Sequence, residues 1–342
     1  MKALLDSIIA ALESRLPVVL VSVIASSGST PRGAGAMMAV FTDGTATGTI
    51  GGGAVEYEAC GQASLMFATK QSRLASYTLA KNDVADLGMI CGGDVTMFYE
   101  YLEADNDRTL SLFKHMRSAF DRNENTWLIR LFENGLPLET ALYDSGGLRF
   151  ADHIREDEVM PLLGNAPELT DGDRQYYTEL LVRAGRVFVF GGGHVAQELV
   201  PVLARVGFSV TVYEDRENFA KAELFPDAAD IILHDFAKIS ERITVAGTDY
   251  VVIMTRGHQM DYEVLEQMLR TPACYVGCIG SAKKLTATKQ RLTEAGVADS
   301  AFDKLYSPIG LKIKAETPAE IAVSVAAEMI LLRASQSAER NV

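Results

Sequence analysis

Between Val187 and Val200 the chain reads Val-Phe-Val-Phe-Gly-Gly-Gly-His-Val-Ala-Gln-Glu-Leu-Val. Val187 to Phe190 are all β-branched or aromatic, which predicts a short buried strand. The glycines turn the chain, and from Val195 to Val206 apolar residues recur at helical spacing. Gly191, Gly193 and Ala196 occupy the three small positions of the G-x-G-x-x-G/A fingerprint. The first permits the tight turn, the second lets a pyrophosphate approach the backbone, and the third lets helix and strand pack closely. The helix starting near His194 would turn its free N–H groups and positive dipole end toward the anion. Phe208 to Tyr213 predict the next strand, and Glu214 and Asp215 follow it. That puts a carboxylate about 20 residues after the glycines, where a dinucleotide's ribose hydroxyl is gripped. A Rossmann-like unit follows from this stretch; whether it holds a dinucleotide is a separate question.

The 342 residues suffice for two domains. We expect a first domain over 1–180, with a less typical middle segment and a linker, and a Rossmann-like domain over 183–335. The net charge of -13 disfavours nucleic acid and anionic membrane as partners. No apolar run reaches the length of a membrane span. The amphipathic N-terminus, with Asp6 and Glu13 inside it, lacks a secretory cleavage pattern. Four cysteines in a chain of this length suggest no disulfide framework. The cytoplasm is the expected location.

The first domain reads as α+β. A helix over 3–15 precedes a strand over 18–25, and further strands are expected over 36–41, 45–50, 73–79 and 94–103, with a helix over 55–69. Three small-residue loops stand at strand ends: Ser26–Gly35, Gly48–Gly53 and Gly88–Gly93. One reading makes them tight turns in a compact sheet. The other makes them one concave site lined by backbone N–H groups, suited to a phosphate or polyoxo anion. Arg32 would add a planar cation there.

The middle segment offers a helix over 110–120 and strands over 126–132 and 139–143, expected to complete the first sheet. Residues 152–182 read as an interdomain connection that ends in a helix over 176–182. After the fingerprint, strands recur at 230–233, 250–254 and 274–279 with helical stretches between them, the alternation of a parallel α/β sheet. Thr255-Arg-Gly-His258 and Gly280-Ser-Ala-Lys-Lys284 follow strands and should meet the glycine loop in the ligand crevice.

Cys91 is the one cysteine in a glycine-rich loop, where nearby N–H groups lower a thiol pKa. It suits a soft metal ligand or sulfur carrier; the alternative is an inert residue at a turn. Cys60, Cys274 and Cys278 read as core, the last two facing one side of a strand. His194 either meets a phosphate or caps backbone groups. His258 beside Arg256 is a site candidate, and Asp261 is a helix-start residue. Lys283 and Lys284 suit a phosphate, or are solvated. The chain has no Gly-x-Ser-x-Gly elbow, no His-Glu-x-x-His and no P-loop lysine motif.

Taken in order, Ser26-Ser-Gly-Ser-Thr-Pro-Arg-Gly-Ala-Gly-Ala-Met37, Gly48-Thr-Ile-Gly-Gly-Gly-Ala-Val-Glu56, Gly88-Met-Ile-Cys-Gly-Gly93, Phe190-Gly-Gly-Gly-His-Val195, Thr255-Arg-Gly-His258, Ile279-Gly-Ser-Ala-Lys-Lys284, Ser307-Pro-Ile-Gly-Leu311 and Glu316-Thr-Pro-Ala-Glu-Ile-Ala322 resemble the XdhC/CoxI family of xanthine dehydrogenase accessory proteins. The motifs span nearly the whole chain except about 110–180. The resemblance implies a homodimeric maturation factor. It would bind molybdenum cofactor, support its sulfuration with a cysteine desulfurase, and deliver it to a xanthine dehydrogenase-like molybdenum hydroxylase. The implied cofactor-binding set is Ser29, Arg32, Gly51, Gly52, Gly53, Glu56, Cys91, Gly92 and Gly93 in the first domain. In the second it is Gly191, Gly193, His194, Ala196, Glu214, Asp215, Arg256, His258, Ser281 and Lys283. Cys91 would touch the molybdenum through the cofactor.

The middle glycine of Gly191-Gly-Gly departs from the family pattern, with little expected effect on the fold. A second reading is an NAD-dependent oxidoreductase that uses the Rossmann site, with His194 or His258 as proton donor. The acidic pair at 214 and 215 favours NAD over NADP. Against it, no clear acid–base pair is visible. A third reading is a scaffold that only contacts partner enzymes.

Overall fold

The computed structural model describes residues 1–78, 93–280 and 282–338. The chain divides into two compact units that meet at Arg183–Ala184.

In the first unit, α1 (Lys2–Glu13) buries Leu4, Leu5, Ile8 and Leu12, one stripe of an amphipathic helix. It is followed by β1 (Val18–Gly28), β2 (Met37–Phe41), β3 (Ala46–Thr49), α2 (Gly53–Thr69), β4 (Arg73–Thr78) and β5 (Gly93–Leu102). The strands form an antiparallel sheet in the order β3-β2-β1-β5-β4. Strand alternation sorts the core. Val18 and Leu20 join the cluster containing α1, while Val19, Val21 and Val23 face the other way with Val55, Ala59, Ala63 and Met66 of α2.

The middle segment does not extend that sheet, contrary to expectation. After α3 (Asp107–Arg122), the strands β6 (Thr126–Glu133), β7 (Leu136–Asp144) and β8 (Gly147–Arg149), the short α4 (Glu156–Val159), β9 (Glu168–Leu169) and β10 (Arg174–Val182) build a second antiparallel sheet. Its order is β8-β7-β6-β10-β9. The expected helix over 176–182 is therefore a strand, and the expected connection is part of a core. The cause is burial on both faces. Tyr176 packs with Ile129 and Val159, whereas Tyr177 packs with Phe98 and Phe132, and Leu181 with α1 and α3 residues. A strand buried on both faces loses the period-2 signature.

The second unit runs β11 (Arg186–Phe190), α5 (His194–Arg205), β12 (Ser209–Glu214), β13 (Asp230–Leu233), β14 (Tyr250–Ile253), α6 (His258–Leu269), β15 (Tyr275–Cys278), α7 (Ala282–Glu294), β16 (Leu305–Tyr306) and α8 (Pro318–Ala338). The strands pair in parallel in the order β13-β12-β11-β14-β15-β16. This is the doubly wound Rossmann arrangement, and its switch point falls between β11 and β14. Val187 and Val189 pack with α5 and α8; Phe188 and Phe190 pack on the opposite face with α6. Cys274 and Cys278 do not share a side. Cys274 precedes the strand and packs toward the α5–α8 core, while Cys278 is buried in the α6 core.

Candidate functional site

In the first unit the described parts of the small-residue loops converge. A Cβ on Gly51 would lie 2.6 Å from Pro31 Cβ, and one on Gly93 would lie 2.4 Å from the Ser27 carbonyl oxygen and 3.0 Å from the Ser29 nitrogen. The Ser26–Gly35 loop thus rests on the other two at positions where only hydrogen fits. Ser29, Arg32 and Gly53 are exposed at this meeting point. Arg32 makes no hydrogen bond or ion pair with any described residue. Cys91 and Gly92 lie outside the described residues.

Glu56 has an internal employment. Its Oε1 accepts from Thr49 Oγ1 at 2.5 Å and from the N–H groups of Ile50, Gly51 and Gly52 at 3.0, 3.3 and 2.9 Å. Burial alone would raise the carboxyl, but these four donors hold it below the ordinary carboxylate range. The nest at Ile50–Gly52 is therefore filled by the protein's own carboxylate. For an external anion this leaves the Arg32 guanidinium and the exposed N-terminus of α2 at Gly53.

The second unit repeats the device. Gly191 has φ +107° and its hydrogen faces the Met254 carbonyl oxygen, which a Cβ would approach to 2.4 Å. Gly192 lies under the Phe219 carbonyl oxygen, 2.3 Å from a built Cβ, so the middle glycine is demanded by packing. Gly193 has open space around it, Ala196 is fully buried beneath the helix, and His194 is exposed at the start of α5.

Glu214 is fully buried at the end of β12. Its Oε2 accepts the Gly192 N–H at 2.7 Å and Arg216 Nη2 at 3.0 Å; its Oε1 accepts the N–H groups of Asp215 and Arg216 and Arg216 Nε. Although burial pushes upward, the Arg216 guanidinium, then the neighbouring Asp215 carboxyl and the Gly192 N–H, hold the carboxyl at about 2. This carboxylate is spent on its own loop. Asp215 is differently placed. Its Oδ2 accepts Arg256 Nη2 at 2.9 Å, which links the ends of β12 and β14 across β11. Its Oδ1 is buried with no hydrogen-bond partner, and Arg216 Nε stands 3.7 Å away. Burial, then the Glu214 carboxylate, raises the Asp215 carboxyl.

Beyond β14 and β15 lies a cavity of about 250 Å³ lined by His258, Asp261, Tyr262, Cys278, Gly280 and Ser307. His258 is exposed there, while Asp261 is buried and accepts from Thr255 N–H at 3.0 Å and Thr255 Oγ1 at 2.7 Å. Burial, reinforced by Asp261, pushes the Cys278 thiol up to about 12, so it stays protonated near neutrality. Ser281 lies outside the described residues, and Lys283 falls in the first turn of α7. The structure thus gathers Gly191, Gly193, His194, Glu214, Asp215 and Arg256 around the switch point, with His258 at the adjoining cavity. Sequence reasoning missed Arg216 and Phe219, which close over the glycine turn; the arginine directly after the acidic pair was the available signal.

Fold and loops define a class: a doubly wound Rossmann unit joined to an α+β unit with convergent small-residue loops. The chain belongs to the XdhC and CoxI family. The family's own model matches residues 11–78, and the XdhC Rossmann domain model matches residues 187–329. The chain is 27% identical to a Bacillus subtilis protein named as a probable xanthine dehydrogenase subunit, over 95% of this chain and 96% of that protein. It is 24% identical to the molybdenum cofactor insertion chaperone PaoD of Escherichia coli, over 98% of this chain and 89% of that one. It is also 24% identical to the uncharacterized Escherichia coli protein YqeB, but spans only 44% of that protein's length. A crystal structure described as a xanthine dehydrogenase from Bacillus halodurans superposes with a TM-score of 0.79 at 27% identity, covering 96% of each chain.

Proposed function

We propose that this chain is an accessory protein of molybdoenzyme maturation. It binds molybdenum cofactor and hands it to a xanthine dehydrogenase-like hydroxylase. Family membership and the relative named as a cofactor insertion chaperone support the reading. The observation that carries it is Arg32, exposed and free of partners among the described residues at the meeting point of three loops. The bound group would supply the molybdenum–dithiolene centre and a phosphate. Arg32 and the start of α2 would hold the phosphate, and Cys91 would lie toward the metal. Sulfuration by a cysteine desulfurase, a homodimeric state and a cytoplasmic location belong to the same proposal.

The test is to purify the protein from a host that makes the cofactor, oxidise the released pterin, and read its fluorescence beside elemental molybdenum. Near-stoichiometric pterin is expected, with loss of retention in Cys91→Ala. No pterin from a host with an active pathway would sink the reading.

A nucleotide in the second unit is favoured by one observation, that Asp215 Oδ1 has no hydrogen-bond donor, which suits a ribose hydroxyl. Glu214 is already spent and Gly192 is covered. Calorimetric titration with NAD and NADH decides the matter; no heat at millimolar ligand removes it.

A further inference from the structure

The first unit has a further opening, on the α2 face of its first sheet and beside the edge strand β4. It measures about 260 Å³. Val55 and Glu58 of α2 line one side, and Ser76, Tyr77 and Thr78 at the end of β4 line the other, with Met97 and Tyr99 of β5 behind them. That volume is just below the range of sites for drug-sized ligands, so the opening takes one ring system and not a whole cofactor.

Its layers differ in reach. Val55, Met97 and Tyr99 are buried and form a floor that belongs to the core between α2 and the sheet. Glu58 and Tyr77 are half-buried, and Ser76 and Thr78 are exposed at the mouth. A ligand therefore meets Glu58 and Tyr77, not the floor.

Glu58 is held in place and keeps spare capacity. Arg73 Nη2 donates to Gln62 Oε1 at 2.7 Å, and Gln62 Nε2 donates to Glu58 Oε1 at 2.7 Å. This relay fixes the carboxylate through Oε1 alone; Oε2 accepts from no described residue. A carboxylate has about four lone-pair sites on its two oxygens, and Gln62 uses one. The hydroxyls around it are spent. Ser76 Oγ pairs with Thr96 Oγ1 at 3.1 Å, Thr78 Oγ1 donates to Asp94 Oδ1 at 2.9 Å, and Tyr77 Oη pairs with Tyr99 Oη at 2.9 Å. The opening thus offers unused acceptors beside a flat phenol. Its complement is a flat ring with neighbouring N–H donors on one edge.

We infer that Glu58 reads the 2-amino-4-oxopyrimidine edge of a pterin ring lying against Tyr77. That edge sets an amino group beside a ring N–H, two donors spaced for one carboxylate. Carboxylates read the amino edges of nucleobases by the same pairing. Gly53, at the proposed phosphate contact, and Glu58 are five residues apart on α2, about 7.5 Å along the helix axis, so one molecule can reach both. The identity of the ring rests on the cofactor reading; the donor preference of the pocket does not.

The probes are pterin and lumazine, titrated by their own fluorescence against the whole protein made in a host without the cofactor pathway. Lumazine has a carbonyl where pterin has the amino group, so it turns an acceptor toward Glu58. One saturable site for pterin is expected, with lumazine weaker by about tenfold or more. Glu58→Gln should weaken pterin binding by about fivefold or more and shrink the preference over lumazine. Thermal melting checks that the variant folds; if it does not, Glu58→Asp, which keeps the charge one methylene short, takes its place with the same expected loss. Guanosine carries the same edge and is the third arm. Equal affinity for pterin and lumazine, tighter binding of guanosine than of pterin, no saturable pterin binding, or unchanged pterin binding in the folded variant would overturn the inference. Cofactor retained by the protein in any of those cases would leave the carrier reading standing. Ring discrimination in a protein that retains no cofactor would strike the carrier reading and keep the pocket.

Discussion

Glu214 Oε2 accepts the N–H of Gly192 at 2.7 Å, so the carboxylate at the end of β12 closes the glycine turn that follows β11. Its folded pKa is about 2 against an ordinary 4.5. A depressed carboxyl contributes stability that is complete above its unfolded value and is lost as pH falls toward its folded value. Glu214→Gln should therefore cost on the order of 2–3 kcal/mol near pH 7. The gap to the parent should narrow by about 1–2 kcal/mol between pH 6 and pH 3. Asp215, whose carboxyl is raised by burial and then by Glu214, loses the second part of that rise in the variant, which sets the narrowing toward the lower end of that range. Chemical denaturation at the two pH values is the measurement; a gap that does not change with pH contradicts the assignment.

Gly192 and Gly193 are adjacent but differ in surroundings. A Cβ on Gly192 would stand 2.3 Å from the Phe219 carbonyl oxygen, whereas one on Gly193, at φ -71°, would meet nothing within 4 Å. Gly192→Ala should destabilise by about 2 kcal/mol or more, while Gly193→Ala should stay within about 0.5 kcal/mol. Similar thermal midpoints for the two variants would mean that the Phe219 segment yields without cost. The same contact corrects the expectation that the middle glycine matters little.

The Rossmann unit was legible because its strands are short apolar runs broken by glycine turns and helical spacing, and β11, β12, β13 and β14 fall within a residue or two of expectation. The second sheet of the first unit was not. β10 is buried on both faces, so Tyr176 to Val182 shows no alternation. Arg130 was visible as a charge inside Trp-Leu-Ile-Arg-Leu-Phe, a pattern that marks either an edge position or a buried ion pair. The roles of Glu56 and Glu214 could not be read at all. A carboxylate that binds its own loop and one that awaits a ligand have the same sequence neighbourhood; only the donor geometry separates them.

Glu56 supplies a direct test of that distinction. Its Oε1 takes all four contacts in the Thr49–Gly52 turn, so a single acceptor oxygen carries the role. Glu56→Gln keeps an oxygen there and should cost less than about 1 kcal/mol, while Glu56→Ala should cost about 1–3 kcal/mol by stranding the N–H groups. Urea unfolding of both variants gives the comparison. Equal losses would show that charge, not the acceptor, holds the turn.

Arg32 is the converse case, a charge that the fold does not use. It is exposed and has no partner among the described residues, so Arg32→Ala should change stability by less than about 0.5 kcal/mol. If the guanidinium holds the cofactor's phosphate, the same variant should lose retained pterin by about tenfold or more, since a charge-assisted contact is removed. Arg32→Lys should recover part of the loss, because a point charge remains without the planar fork. Retention should also fall as salt rises, and less steeply in Arg32→Ala than in the parent. Unaltered pterin content in a stably folded Arg32→Ala protein would move the anion site away from the three loops.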